Sequence, residues 1–397
     1  MMTYKERFLA TVSGQPTDCL PFIPRLDIWY RANKVAGTLP DKYKNASLTE
    51  ITDDMGVGVH SIVPDFMDYY DPIDIIDRAL GAYRLRTLPF KTIFRDIERN
   101  VFYDGSRTVV EYLTPKGKIT TKVIYDDGMK KSGVTITHVE EPAIKSVNDY
   151  EAVAYIFEHA EIIPQYDHFL TKVNEVGDRG VAVAYASLAA CGMQLILRDL
   201  IPFELLCYEM MDHPEELKWL AGKIDGYYEK IIDVVAKSPA QVVLLGGNYD
   251  RSITSPPFFK EHIAPKLTAS IEKLHQYGKL VATHTDGENK GLLEQYVSCN
   301  VDIADSICPK PMTSQTLKEV RDVFEDKVTI WGAVPSISVL ENTMTEYEFD
   351  GYMDNLLKDA GRGDHLILSI ADTTPPQAKF SRIEKIAKLA RDFGPIK

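Results

Sequence analysis

One histidine and several aspartates follow directly on apolar runs of this sequence. In "VATHTDGENK", residues 281–290, His284 ends such a run and Asp286 follows two residues later. Imidazole nitrogen and carboxylate oxygen are ligands that Zn²⁺ accepts, and catalytic zinc sites keep an open position. The same groups also perform general acid–base chemistry without a metal, because neighbouring carboxylates tune the pKa of a histidine. A structural interpretation stays open as well, since aspartates at such places often cap the following helix.

Other apolar runs end in the same way, with polar or aromatic side chains at or just after their last residues. These are Arg25, Asp27 and Arg31; Asn248 and Asp250; Asp305 and Ser306; Trp331; and Asp372, Thr373 and Thr374. His60, at the end of "GVGVH", has no clear assignment. The spacing of these residues is a weaker metal signature than a pair of C-x-x-C motifs. His284 with Asp250, Asp286 or Asp372 could supply metal ligands, with His284, Asp286 and Asp372 as the favoured set, and His284, Asp250 and Asp286 are candidate catalytic groups.

The elements that carry these residues alternate in type along the second half of the chain. Short apolar runs lie at 180–186, 241–250, 279–287, 301–308, 327–334 and 365–372, and helical patterns lie at 214–237, 256–277, 314–325, 344–360 and 377–393. Runs that are apolar throughout, rather than alternating, are typical of parallel strands covered on both faces. Proline or polar caps mark the helix starts.

Repeated β–α units of this length predict a (β/α)8 barrel. In such a barrel the chemistry lies at the carboxyl ends of the strands, where the polar residues above are expected to converge. A doubly wound open sheet is the second possibility. It is less favoured because "LLGGNYD" lacks the G-x-G-x-x-G spacing of a phosphate-binding loop.

The N-terminal part of the chain has a different texture. Residues 3–14 predict a helix capped by Thr3, and residues 20–30 form a β-rich run. Between 82 and 146 the sequence alternates and carries turn signals at Asp104-Gly105 and Lys116-Gly117, which predict antiparallel strands. We therefore expect one domain over residues 1–397 with this meander as an insertion.

Composition excludes several classes of protein. Hydrophobic residues make up 45% and charged residues 26%, as in soluble enzymes, and 45 Lys+Arg against 58 Asp+Glu give a net charge of −13. This acidic balance argues against binding to nucleic acid or to an anionic membrane. The five scattered cysteines form neither a disulfide framework nor a thiolate cluster. No signal peptide or membrane span is apparent, so the expected location is the cytoplasm.

Four stretches of the sequence resemble the uroporphyrinogen decarboxylase superfamily, in the order found there. They are "GGNYDRSITSPPFFKEHIAPKL" (246–267), "GKLVATHTDGENKGLLEQY" (278–296), "VTIWGAVPS" (328–336) and "ADTTPPQAKFSRIEKI" (371–386). Two further stretches, 28–43 and 112–119, are similar more loosely. The resemblance implies a (β/α)8 barrel.

The superfamily has two branches, and the sequence departs from the motifs of both. The decarboxylases act without a cofactor on a tetrapyrrole that carries many carboxylates, and they have paired arginines near the N-terminus and a late histidine. Here "YRANKVAG" has Arg31 alone, and "ADTTPP" has no histidine. The corrinoid-dependent methyltransferases have an H-x-C zinc motif with a distant cysteine. His284 matches that histidine, whereas Asp286 and Asp372 stand where the cysteines would be.

The resemblance therefore favours a methyltransferase whose site has carboxylates in place of thiolates. Such a site suits an oxygen-bearing methyl donor, because a metal or a proton on an ether oxygen improves the leaving group. We expect a small methylated donor such as an aryl methyl ether, with the corrinoid (cobalamin) supplied by a partner protein and Zn²⁺ as a possible cofactor; the resemblance also implies a homodimer. Candidate substrate-binding residues are Arg25, Trp29, Arg31, Tyr69, Asn248, Tyr249 and Trp331, with Tyr30 and Tyr70 as further pocket aromatics.

Two alternatives belong to other classes of protein. A uroporphyrinogen decarboxylase-like lyase would use Arg31 and an acidic residue to hold the macrocycle, and it would release CO2 without a metal. A non-catalytic barrel would bind a tetrapyrrole or corrinoid as a carrier, and its binding would survive the change His284→Ala.

Overall fold

Largely buried, mostly apolar runs form the central sheet of the protein. The computed structural model describes residues 1–63, 75–132 and 137–397. The strands in these residues are β1 (Val59–Val63), β2 (Phe90–Phe94), β3 (Glu98–Asp104), β4 (Arg107–Thr114), β5 (Gly117–Ile124), β6 (His138–Glu141), β7 (Ala160–Pro164), β8 (Gly180–Ser187), β9 (Val242–Gly247), β10 (Leu280–His284), β11 (Ile303–Ile307), β12 (Thr329–Pro335) and β13 (Leu366–Ala371). Six of them correspond to the six predicted runs.

Seven parallel strands are arranged in the order β1-β8-β9-β10-β11-β12-β13. The two edges of this sheet are linked through residues 21–23. Ile23 N donates to Leu368 O of β13 at 2.8 Å, Leu368 N donates to Pro21 O at 2.8 Å, and Gly58 N, just before β1, donates to Phe22 O at 3.0 Å. The sheet is therefore curled, in an α/β arrangement consistent with a TIM-like barrel.

Helices follow most of the parallel strands. The α-helices in the described residues are α1 (Tyr4–Val12), α2 (Asp27–Ala36), α3 (Leu48–Met55), α4 (Asp127–Lys131), α5 (Tyr150–Glu158), α6 (Tyr166–Val176), α7 (Gly192–Leu195), α8 (Phe203–Asp212), α9 (Pro214–Ala236), α10 (Pro256–Phe258), α11 (Ala264–Gln276), α12 (Leu293–Ser298), α13 (Leu317–Phe324), α14 (Glu346–Asp359) and α15 (Phe380–Asp392). No helix in this described part of the chain combines the length and apolarity that crossing a bilayer requires.

Helix α1 begins as its sequence predicts. Thr3 and Glu6 form a reciprocal capping box that satisfies two backbone N–H groups at the helix start. Phe8 on its buried face packs edge-on against Trp331 of β12, with ring centroids 5.1 Å apart. The helix thus covers part of the core formed by the parallel strands.

The alternating segment forms antiparallel sheets. Strands β3 to β6 pair in sequence order, and the two predicted turns join β3 to β4 and β4 to β5. A second antiparallel pair joins β2 to β7 and so extends beyond residue 146, where the insertion was expected to end. On β4 and β5, buried Val110, Tyr112 and Ile119 alternate with more exposed residues, which is the period-2 pattern of a sheet with one covered face.

The β-rich run at 20–30 is shorter than expected. Only residues 21–23 make strand-like contacts, and α2 begins at Asp27, whose carboxylate suits the positive end of a helix. Gly37, with φ 69°, ends α2 in the left-handed conformation that glycine adopts without strain. Arg25 therefore lies in a short connection between the sheet and α2.

Candidate functional site

Four candidate residues lie at the carboxyl ends of neighbouring parallel strands. His284 is the last residue of β10, and Asp305 on β11 is its direct cross-strand partner. Asp286 follows β10 by two residues, and Asp372 follows β13 directly. Because parallel strands end at the same edge of a sheet, residues distant in sequence meet here.

The His284 imidazole contacts three carboxylates. Its Nδ1 lies 2.6 Å from Asp305 Oδ2, and its Nε2 lies 3.2 Å from Asp372 Oδ1 and 3.8 Å from Asp286 Oδ2. Arg25 completes the cluster, with its guanidinium 3.3 Å from Asp372 Oδ1 and 3.3 Å from Asp27 Oδ1. His284 and Asp305 are buried, whereas Asp286 and Asp372 are partly exposed.

These contacts oppose the effect of burial on the pKa of His284. Burial alone would lower that pKa, but the charge of Asp286 and the hydrogen bonds to Asp305 and Asp372 hold it well above the ordinary value. Burial would raise the pKa of Asp305, yet its hydrogen bond with His284 and the nearby His60 imidazole hold that pKa well below the usual range. Asp305 is therefore ionised, and its carboxylate accepts a hydrogen bond from His284 Nδ1–H.

The two partly exposed carboxylates differ. Burial, together with the charge of Asp372, raises the pKa of Asp286 despite the opposing effect of His284. The pKa of Asp372 is lowered to about 2, because the hydrogen bond and charge of His284 and the charge of Arg25 outweigh its burial. Of these two carboxylates, the folded state stabilises the charge of Asp372 and disfavours the charge of Asp286.

His284, Asp286 and Asp372 can supply ligands to one metal ion. One ligand atom from each lies within 4.8 Å of the others. Zinc–nitrogen and zinc–oxygen bonds of roughly 2.1 Å in a tetrahedron place neighbouring ligand atoms about 3.4 Å apart. The distances of 3.2 Å and 3.8 Å from His284 Nε2 to the two carboxylates bracket that value. The donor set, one nitrogen and carboxylate oxygens, therefore fits Zn²⁺.

A cavity of about 370 Å³ opens beside this cluster. Arg25, Asn248, His284 and Asp372 are in its lining, together with apolar and aromatic side chains that include Leu188, Leu244 and Tyr185. The predicted residues Arg25 and Asn248 are thus placed where a small molecule beside His284 would contact them. Asn248 has φ 54°, and its N–H donates to His284 O at 3.0 Å, which fixes the loop after β9 against β10.

Asp250 lies near the site but supports a loop. Its Oδ2 accepts from Glu288 N at 2.9 Å, and its Oδ1 accepts from Ser252 N at 2.8 Å and from the Ser252 hydroxyl. The first of these bonds holds the segment that carries Asp286. Among the described residues, Asp250 does not belong to the metal-ligand cluster.

The predicted aromatic residues are buried in packing contacts. Trp29 stacks on Phe380 with centroids 5.2 Å apart, Tyr249 OH donates to Gln194 at 3.3 Å, and Trp331 Nε1 donates to Ile23 O at 3.2 Å. None of the three is in the described lining of the cavity. Their predicted contact with substrate stays a prediction.

Two further predicted positions lie apart from the cluster or outside the description. Arg31, on α2, donates to Tyr125 OH at 3.3 Å and so contacts the antiparallel insertion. Tyr69, like Tyr70, falls outside the described residues. That Arg31 and Tyr69 contribute to substrate binding therefore stays a prediction.

Asp305 and His60 also lie at the site, and neither was assigned a role from the sequence. Asp305 ends an apolar run as His284 does, and that was the available signal. His60 on β1 lies with its Nε2 3.8 Å from Asp305 Oδ1 and its ring 4.5 Å from that of Trp331. Only the folded structure shows that Asp305 contacts the His284 imidazole and that His60 approaches Asp305.

A model of the uroporphyrinogen decarboxylase (URO-D) family matches residues 136–393, roughly two thirds of the chain. This chain belongs to the uroporphyrinogen decarboxylase family. The match contains β8 to β13 and hence His284, Asp286, Asp305 and Asp372. The resemblance seen in the sequence is therefore confirmed at the level of the superfamily.

A solved structure of similar fold is a methyltransferase from Methanosarcina mazei. It aligns with a TM-score of 0.53 over 99% of both chains at 13% sequence identity. At this identity the likeness shows a shared fold and no more. No functionally curated protein has a significant sequence match to the chain.

Proposed function

We propose that this protein is a methyltransferase that moves a methyl group from a small methylated donor, such as an aryl methyl ether, to a corrinoid carried by a partner protein. The observation that carries the proposal is the cluster of His284, Asp286 and Asp372 at the strand ends, beside a cavity. Membership of the family and the fold shared with a methyltransferase support it.

Charge in the cavity favours this branch over a decarboxylase. Three lysine or arginine side chains are in its described lining, and each already has a carboxylate partner: Arg25 lies 3.3 Å from Asp372, Lys172 3.0 Å from Glu175, and Arg179 3.4 Å from Asp53. A tetrapyrrole with many carboxylates requires positive charge to offset its own. Little unpaired positive charge is left in the lining, so the cavity matches a neutral substrate better than one with many carboxylates.

The size of the cavity agrees with a small donor. Its volume of about 370 Å³ lies near the lower end of the roughly 300–1,000 Å³ typical of small-molecule sites. A single methoxylated ring suits such a volume better than a macrocycle does.

His284, Asp286 and Asp372 would hold the metal. A zinc ion in that position supplies Lewis acidity that stabilises a developing phenolate or alkoxide. As a metal-free alternative, the His284 imidazolium donates its Nε2 proton to the ether oxygen. The methyl carbon–oxygen bond then breaks as the methyl group passes to the acceptor, and the proton stays on the released alcohol or phenol. In both versions Arg25 and Asn248 orient the donor, and Asp250 holds the loop that carries Asp286.

Further parts of the proposal concern architecture and surroundings. The hydrogen bonds of residues 21–23 support their assignment as the first strand of a complete (β/α)8 barrel, formed by a single domain over 1–397. We propose that the corrinoid protein docks at the strand ends, where the cavity opens. A homodimer and a cytoplasmic location remain part of the proposal.

The proposal is tested with purified protein, a panel of methoxyarenes and free cob(I)alamin, whose absorbance changes on methylation. Methyl transfer is expected with wild-type protein and at least about a 100-fold loss with His284→Ala, since general acid–base groups contribute roughly 10²–10⁴-fold. His275→Ala is the matched control. The His275 imidazole also contacts an aspartate, Asp302, but that aspartate lies just before β11 begins and outside the candidate site.

Three results would contradict the proposal. Full activity of His284→Ala would place the chemistry elsewhere. Release of CO2 from uroporphyrinogen by the metal-free protein, without methylation of cob(I)alamin, would identify a decarboxylase. Tetrapyrrole binding that is unchanged both by His284→Ala and by added methyl donor would indicate a carrier.

A further inference from the structure

We infer that Asp305 is the positioning residue of the metal site, holding both His284 and the segment between His284 and Asp286 in the geometry that binds the metal. The inference rests on the proposed metal-binding role of His284 and adds a residue to which the sequence assigned no function. Asp305 acts through its neighbours and is not a ligand in the described cluster.

The side chain of Asp305 selects which nitrogen of His284 is available. Asp305 Oδ2 lies 2.6 Å from His284 Nδ1 and is placed to accept a hydrogen bond from an N–H at that nitrogen. Nε2 then faces Asp372 and Asp286 and is the nitrogen left for a metal. Metal-binding histidines commonly donate their other N–H to a carboxylate, which fixes the tautomer and the orientation of the ring.

The main chain of Asp305 fixes the residue between the two ligands. Its carbonyl accepts from Thr285 N at 2.7 Å and from the Thr285 hydroxyl at 2.9 Å. Thr285 is fully buried, and it connects His284 to Asp286. One residue of β11 therefore restrains the ring of the first ligand and the backbone that leads to the second.

Asp305 is itself held from the opposite side. It is 2% exposed, and its second oxygen, Oδ1, lies 3.8 Å from His60 Nε2. The His60 ring packs against Trp331. The carboxylate is thus confined between two imidazoles and has little freedom to turn away from His284.

The test measures zinc affinity of metal-stripped protein by competition with a chromophoric chelator. Asp305→Asn keeps the shape of the side chain and removes its charge, and we expect the Kd for Zn²⁺ to rise roughly 10–100-fold, as for other carboxylates behind a metal-binding histidine. The visible spectrum of bound Co²⁺ should also change, since the ring of His284 is no longer fixed. A residue that only stabilises the fold would alter neither quantity.

The chain offers a matched control in Asp302→Asn. Asp302 precedes β11 and pairs with His275 Nε2 at 2.8 Å, a similar contact away from the ligand cluster. This variant should keep wild-type zinc affinity and the wild-type Co²⁺ spectrum. If Asp305→Asn fails to fold, as shown by circular dichroism, Asp305→Ser provides the same loss of charge and the same expectation.

The inference would be overturned if Asp305→Asn bound zinc as tightly as the wild-type protein does. It would also be overturned if Asp302→Asn lost as much zinc affinity as Asp305→Asn, or if the wild-type protein bound no zinc. The measurement requires neither methyl donor nor corrinoid. A protein that binds zinc in an Asp305-dependent way but transfers no methyl group would refute the proposed function and leave the inference intact.

Discussion

Replacing the two partly exposed carboxylates of the site should change the stability of the metal-free protein in opposite directions. Burial raises the pKa of Asp286, so its ionised form is disfavoured in the folded state at pH 7. Asp286→Asn removes that charge and should increase the free energy of unfolding. The pKa of Asp372 is lowered from its ordinary value of 3.8 to about 2, so its ionised form stabilises the fold. Asp372→Asn should lower the free energy of unfolding.

The size of the Asp372 effect follows from its pKa. The difference from 3.8 to about 2 corresponds to at most about 2.4 kcal/mol. The Asp372 side chain is 39% exposed, and solvent screening reduces such a contribution to roughly 1 kcal/mol. Urea unfolding at pH 7 in the presence of a chelator measures both variants.

Zinc should reverse the stability order of Asp286→Asn and the wild-type protein. At a zinc concentration 100 times the wild-type Kd, binding adds about 2.7 kcal/mol to the stability of the wild-type protein. If loss of one ligand weakens binding about 100-fold, the same zinc concentration adds only about 0.4 kcal/mol to either variant. Asp286→Asn would then be more stable than wild type without zinc and less stable with it.

The reasoning is refuted by either of two results. Asp286→Asn that is destabilised without zinc would show that its carboxylate supports the fold, contrary to the direction of its pKa. Variants that gain as much stability from zinc as the wild type would show that the ion binds elsewhere. A variant of a surface carboxylate, Asp322→Asn, whose partner is Lys318 four residues earlier on α13, serves as the control and should change neither quantity by more than about 0.5 kcal/mol.

Three further outcomes are expected. Asp250→Ala removes the carboxylate that accepts from Glu288 N and should lower the free energy of unfolding by about 1–2 kcal/mol. The zinc affinity of this variant, measured by chelator competition, should fall less than tenfold. Asp18→Asn breaks the contact with Arg7 at 2.6 Å; because the pKa of Asp18 is lowered to about 2, the loss, roughly 1 kcal/mol at pH 7, should disappear as the pH falls from about 4 towards 2 in urea unfolding, and a loss that persists there would contradict this. Asp286→Cys should give Co²⁺-substituted protein the charge-transfer absorption of a thiolate ligand, and its absence would place residue 286 outside the coordination shell.

The parallel strands were predictable because their environment is uniform. Runs such as 180–186 are buried on both faces, so nearly every residue is apolar and the strand is visible without any partner. The ends of these runs also located His284 and Asp372, since polar side chains there mark the edge of the sheet. The family was predictable for the same reason, because its motifs lie at those strand ends.

The connection around Arg25 was harder to predict. Residues 20–30 carry prolines and bulky apolar residues that are common in strands, yet α2 begins at Asp27. Trp29 and Tyr30 lie in the first turn of this helix and are buried. Trp29 packs against Phe380, which comes from the far end of the sequence. Such tertiary contacts override local propensity, and the sequence pattern does not contain them.

The candidate site was predictable only in part, because its geometry depends on strand register. His284 and Asp286 are neighbours in sequence, so their pairing was expected. Asp305 contacts His284 because β10 and β11 align these two residues, and Arg25 contacts Asp372 across 347 positions of sequence. The backbone turn at Asn248, with positive φ, is likewise a consequence of close strand packing that residue types alone do not reveal.

The most direct test of metal-assisted methyl transfer at this site is the rate of cob(I)alamin methylation by protein stripped of metal and then given one equivalent of Zn²⁺. The account predicts that a methoxyarene donor supports the reaction in the zinc-loaded wild-type protein, and that the rate falls on chelation and returns with zinc. Equal rates in the stripped and reloaded protein would contradict the metal-assisted account and leave only acid catalysis by His284. No methylation with zinc present would contradict methyl transfer itself.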